Sequence, residues 1–328
     1  MSHRPRRPLL THTVAVLAAA ALVGAAVVLR PQAAVGGFRT VQGRVAYQAA
    51  YDEALATLPR PTRSLDVPTS YGTVRIHEWV GPDAEGAPGD DVPVLFLPGR
   101  ASGAPMWAAQ VRDLAGDHRV LLVDALGDAG GSVQAVPLRS MADQVAWIDE
   151  LIGALAIRRV HVVGHSFGGA TAAGYAVAHP GRVASLALLE PVFTFAGPPP
   201  DVYWWATVML LPLPRAWHDA ALRRIGGVDE IDHTDPVARM VDLAGREYRA
   251  SLPTPRVLDD AQLAGLTMPV YVAIGGEDSL AGGQRAARRA AGLSGAVVRV
   301  WPGATHSLPM QVSAELDAEL AEFWRGVN

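Results

Sequence analysis

Val160-His161-Val162-Val163-Gly164-His165-Ser166-Phe167-Gly168-Gly169 sets the architecture expected of this chain. A short apolar, β-branched run reaches a Gly-x-Ser-x-Gly element and continues into Ala-rich sequence, so a strand is predicted to turn sharply into a helix. Such a turn strains the backbone, and Gly164 and Gly168 remove the side chains that would collide there. It lifts the Ser166 hydroxyl clear of the sheet, at the positive end of the helix, where negative charge developing on a substrate is stabilised. Ser166 is therefore the expected nucleophile. Ser166 as a plain helix cap is the rival reading, and both glycines and the downstream partners count against it.

A nucleophilic serine needs a base and an acid to orient that base. His306 follows the run Val297-Val298-Arg299-Val300-Trp301 and the turn Pro302-Gly303-Ala304-Thr305. Asp278 follows Val270-Tyr271-Val272-Ala273-Ile274 and the turn Gly275-Gly276-Glu277. Both are predicted just past the carboxyl ends of parallel strands, the edge at which open α/β sheets place their sites. Glu190 ends the strand after the Ser166 helix and is the alternative acid; Asp278 is preferred because its turn leads directly towards the strand before His306.

From about Leu65 to the C-terminus the chain resembles the α/β-hydrolase superfamily, whose members use the order Ser, acid, His. Leu95-Phe96-Leu97-Pro98-Gly99-Arg100 is similar to that family's strand ending in His-Gly-x, with Pro98 where His is usual. Val120 to Asp124 followed by Gly127-Asp128-Ala129-Gly130-Gly131-Ser132 resembles its next strand and Gly-rich turn. The resemblance implies a mainly parallel central sheet flanked by helices, with a helical cap inserted at 191–266 between core segments 65–190 and 267–328. It implies a serine hydrolase acting on carboxylic esters or lactones through an acyl-enzyme, with Ser166, Asp278 and His306 as triad. The backbone N–H groups of Phe167 and Arg100 would form the oxyanion hole. The cap stretch carries Tyr203, Trp204, Trp205, Met209 and Trp217; Trp204, Trp205 and Met209 are candidates to line an apolar pocket, or else simply pack the cap onto the core. Two other functions stay open: a noncatalytic binding or receptor protein on the same fold, and a cofactor-free perhydrolase or carbon–carbon hydrolase using the same serine.

Alternation of strand and helix patterns through Val94–Leu97, Val120–Asp124, Val160–Val163, Ala184–Leu189, Val270–Ile274 and Val297–Trp301 independently predicts a parallel sheet with crossover helices. Of the 328 residues, 50% are apolar and 18% charged, which supplies a sizeable core. The net charge of -4 has no basic stripe with interleaved aromatics, so nucleic acid is not an expected partner. With no cysteine, disulfides, thiol catalysis and Cys-ligated metal are excluded. No His-Glu-x-x-His or comparable pattern appears, and neither a metal nor a cofactor is expected. His161 and His165 are read as structural.

The first thirty residues read differently. Arg4, Arg6 and Arg7 precede an uncharged apolar stretch, 9–29, about as long as a helix needs to cross hydrocarbon. Residues 1–30 are predicted to be a signal-anchor, or alternatively a cleaved signal peptide, with the catalytic domain outside the cytoplasm. Residues 31–64 are read as a tether with a helical piece around Val45 to Leu58.

Overall fold

The computed structural model describes residues 35–81, 92–211 and 213–327. In chain order, β1 (Gly37–Phe38) and α1 (Val41–Leu55) precede a hairpin of β2 (Arg63–Thr69) and β3 (Gly72–Trp79). Then come β4 (Val94–Leu97), a short 3-10 turn at Ala104–Trp107, α2 (Ala108–Leu114), β5 (Val120–Val123), β6 (Val133–Gln134) and α3 (Met141–Ala154). The central unit is β7 (Val160–His165), α4 (Ser166–Ala178) and β8 (Val183–Leu189). A mostly helical stretch follows, with α5 (Pro200–Leu210), α6 (Arg215–Gly226), α7 (Pro236–Glu247), β9 (Tyr248–Arg249) and α8 (Asp260–Ala264). The chain finishes with β10 (Val270–Gly275), α9 (Gln284–Ala290), β11 (Val297–Trp301), α10 (Leu308–Gln311) and α11 (Ser313–Arg325).

The main sheet runs β2-β3-β5-β4-β7-β8-β10-β11, with β6 beside β3. Strands β5, β4, β7, β8, β10 and β11 are mutually parallel, and β3 is antiparallel to both β5 and β2. All residues of β4, β5, β7, β8 and β10 are buried, as expected of parallel strands covered on both faces. Alternation along each strand sorts the side chains between two apolar layers. Leu95, Leu97, Leu121, Val123, Val162, Leu186, Leu188, Val272 and Ile274 pack with Trp147, Ile148 and Leu151 of α3 and Tyr175 of α4. Val94, Phe96, Val120, Leu122, Val163, Ala187, Leu189 and Ala273 face the other way, onto Val111 of α2 and Leu316, Leu320 and Trp324 of α11. The continuous apolar runs of the sequence are the direct cause, because a strand buried on both faces needs no polar alternation.

The segment read as a tether is, within the described residues, a packed strap. Thr40 caps α1 by accepting from the Gly43 N–H at 2.9 Å, so the helix starts four residues earlier than expected. Its Tyr47, Ala50, Tyr51 and Ala54 pack against Met240 and Ala244 of α7, and β1 pairs antiparallel with β9. Tyr51 also reaches the core, donating from its hydroxyl to Asp124 Oδ2 at 2.7 Å. Residues 1–30, including the apolar stretch 9–29, lie outside the described residues. Among the described residues, no helix is long and apolar enough to cross a membrane.

Candidate active site

Ser166 stands between β7 and α4 with φ 54°, the left-handed conformation that a sharp strand-to-helix turn imposes. Both flanking glycines are required by close approach. A Cβ at Gly168 would overlap the carbonyl oxygen of Leu97, and one at Gly164 would overlap that of Gly168. Gly99, at the end of β4, is equally tight: a Cβ there would lie 2.8 Å from His165 Nδ1 and 3.4 Å from Ser166 Cβ. The loop after β4 therefore lies directly against the serine.

His306 Nε2 is 2.9 Å from Ser166 Oγ. On the other side of the ring, His306 Nδ1 is 3.0 Å from Glu190 Oε2. The expectation of Asp278 as the histidine's acid is corrected here. The Asp278 side chain is 57% exposed and turns to Arg224 of α6, whose Nη1 lies 3.5 Å from its carboxylate. The Glu190 side chain is fully buried. Its Oε1 accepts from Gly275 N and Ser279 Oγ, both at 2.7 Å, and its Oε2 accepts from Leu280 N at 3.0 Å and Ala281 N at 3.3 Å. Such donors offset the desolvation of a buried carboxylate. The turn after β10 thus builds a cradle for the acid from β8, rather than supplying the acid itself.

The loop carrying His306 is held from two directions. Beneath it, His165 Nε2 donates to the His306 carbonyl oxygen at 2.9 Å, and the two rings lie tilted at 37° with centroids 4.9 Å apart. Burial, and then the neighbouring His306, push the His165 pKa down to about 3, so His165 is neutral at any working pH. Above, Thr305 Oγ1 at 3.0 Å and Ser307 Oγ at 2.7 Å both donate to the carbonyl of Gly226, the last residue of α6. Thr305 Oγ1 and Ser307 Oγ thus tie the segment containing His306 to the 191–266 insertion. Sequence reasoning missed this clamp. Its only trace was a hydroxyl residue on each side of His306, which gave no hint of the distant carbonyl.

The two expected oxyanion donors are placed as follows. Phe167 is the second residue of α4, where helix N–H groups have no intrahelical acceptor. Arg100 follows Gly99, and among the described residues its N–H makes no hydrogen bond. The loop is braced without a histidine at Pro98: Gly99 N–H contacts Met106 Sδ at 3.4 Å, Ala101 N–H donates to Asp128 Oδ2 at 2.7 Å, and Ala104 N–H donates to Asp124 Oδ1 at 2.8 Å. Asp124 also accepts from Gly131 N at 2.7 Å, so it ties this loop to the Gly-rich turn.

The aromatic and sulfur residues proposed for the pocket separate. Trp204 is 46% exposed, Trp205 is half-buried, and Met209 lies against Gly245 of α7. Val192, Val202 and Leu280 instead form an apolar cluster with Phe167, Phe193 and Ile225, next to the serine turn. Among the described residues no group of His, Asp and Glu could hold a metal ion.

Comparison with known proteins agrees with this fold. Residues 92–218 match the family model for the alpha/beta hydrolase fold. Over this stretch the chain is similar to the α/β-hydrolase superfamily, and it shares that fold. Over 298 residues the chain is 24% identical to a Bacillus subtilis (strain 168) protein named carboxylesterase YbfK, spanning 88% of the chain and 97% of the relative. The crystal structure of carboxylesterase CesB (YbfK) from Bacillus subtilis superimposes with a TM-score of 0.78 at 23% identity, covering 87% of the chain and 99% of that structure. That of naproxen esterase from the same organism gives 0.77 at 22% identity, covering 87% and 99%.

Proposed function

We propose that this protein cleaves carboxylic esters through an acyl-enzyme, with Ser166 as nucleophile, His306 as general base and acid, and Glu190 as the acid that orients His306. The observation that carries the reading is the unbroken line from Ser166 Oγ through His306 to Glu190, with contacts of 2.9 and 3.0 Å. Ser166 Oγ attacks the ester carbonyl carbon while His306 Nε2 takes its proton; the tetrahedral intermediate collapses and the same proton goes to the departing alcohol. Water, deprotonated by His306, then attacks the acyl carbon and releases the acid with Ser166 restored. Glu190 keeps the Nδ1 proton in place and stabilises the imidazolium. The N–H groups of Phe167 and Arg100 serve the oxyanion, and loss of one such donor typically costs about 3 kcal/mol of transition-state stabilisation. The names of the relatives support esters as the substrate class, and the apolar cluster beside Phe167 favours an apolar acyl or alcohol group. The arginines ahead of residues 9–29 favour a domain outside the cytoplasm, anchored or released.

Hydrolysis of p-nitrophenyl esters together with fluorophosphonate labelling tests the proposal. The parent protein should turn over the ester and take up one label at Ser166; Ser166→Ala should lose both. A label on another residue, or undiminished turnover in Ser166→Ala, overturns it.

A further inference from the structure

We infer that the outer face of the α5–α6 helix pair docks on a lipid bilayer, so that the ester substrate is drawn from the lipid phase; this rests on the ester-hydrolase reading of Ser166. A helix on the surface of a soluble domain ordinarily turns charged residues outward. After Asp201, α5 has no charged residue as far as Leu210, and the link to α6 reads Leu211-Pro212-Leu213-Pro214. Among the described residues, every exposed large aromatic lies on this pair: Tyr203 at 55%, Trp204 at 46% and Trp217 at 47% exposure. Tyr and Trp have an apolar body with a polar edge and concentrate where hydrocarbon meets water. Arg215 and Arg223 of α6 are also exposed, and they suit an anionic headgroup layer.

Where the chain enters the domain favours lipid over other occupants. Strand β1 pairs with β9 and α1 packs on α7, so the described chain begins on the 191–266 insertion. The uncharged apolar stretch 9–29 ends only six residues before Val35, a span of about 20 Å even when fully extended. The same helix pair also reaches inward, with Val202 and Ile225 in the apolar cluster that includes Phe167. The exposed aromatic face and the apolar surroundings of the serine turn are thus two sides of one pair of helices.

The full-length protein in vesicles of phosphatidylcholine and phosphatidylglycerol, with and without brominated acyl chains, tests the inference against the Trp204→Gln/Trp217→Gln double variant. Brominated lipid should quench the tryptophan emission of the parent, and the quenched fraction should fall by at least half in the variant. Hydrolysis of an oleoyl monoacylglycerol carried in the vesicles should fall at least tenfold, while p-nitrophenyl acetate turnover stays within twofold. Equal quenching of the two proteins overturns the inference, as does a parallel loss on both substrates. So does a dimer that the double variant disperses, because a second copy would then cover the face. Ser166→Ala should be quenched like the parent while losing both hydrolyses; esterase activity surviving in Ser166→Ala would sink the catalytic reading and leave the quenching result standing by itself.

Discussion

Two turns at the carboxyl edge of the sheet, one after β8 and one after β10, each hold a carboxylate at positive φ, Glu190 at 47° and Asp278 at 42°. In sequence they are near equivalents: an apolar strand, then an acid. In space one is buried against His306 with four further donors, and the other is exposed beside a cap arginine. What separates them is where the neighbouring backbone sends its N–H groups. The turn after β10 aims three of these and a serine hydroxyl at Glu190, and its own Asp278 points away. An acid in this fold is thus selected by the cradle around it, and strand-end position alone does not identify it.

The sharpest way to break the comparison is to neutralise each acid. Glu190→Gln keeps the shape but leaves the imidazolium unsupported, and kcat/KM for a p-nitrophenyl ester should fall on the order of 10³- to 10⁴-fold. Asp278→Asn should stay within about threefold; the reverse order would return the role to Asp278. A third carboxylate supplies a contrast in stability. Asp317 is buried beside Asp113, and burial first, then Asp113, push its pKa up to about 7. Because the folded value is raised, the fold favours the protonated acid: the contribution is whole below about pH 4 and is lost as pH rises through 7. Asp317→Asn should therefore match the parent near pH 4 and exceed it by about 2–4 kcal/mol at pH 8 in denaturant titrations.

A smaller effect probes the clamp that holds the histidine loop. Thr305→Val/Ser307→Ala releases the Gly226 carbonyl, and kcat should drop about tenfold with KM nearly constant, since the loss is of imidazole placement. Thr305→Ser/Ser307→Thr should restore most of it. The smallest change is expected at Arg224→Met, which unpairs Asp278. Partly exposed ion pairs contribute about 0.2–1 kcal/mol, so Tm should move by a few degrees at most and esterase turnover should hold.

Ser166 and its glycines were legible because their constraint is local: a left-handed turn packed against a neighbouring strand tolerates few other residues. The parallel strands were legible for a similar reason, since a strand buried on both faces leaves a continuous apolar run. His306 could be placed by the turn that follows β11. The acid could not, because its identity depends on N–H directions in a turn 85 to 91 residues further along the chain. The cap residues also escaped, as an apolar side chain on a cap helix reads alike whether it packs in the cluster with Phe167, as Val202 does, or faces solvent, as Trp204 does. Composition, periodicity and the Gly-x-Ser-x-Gly element determined the sheet, its flanking helices and the sharp turn at Ser166. Only tertiary structure decided which carboxylate meets the imidazole and which face of the cap stays bare, because both depend on contacts between segments that sequence spacing does not bring together.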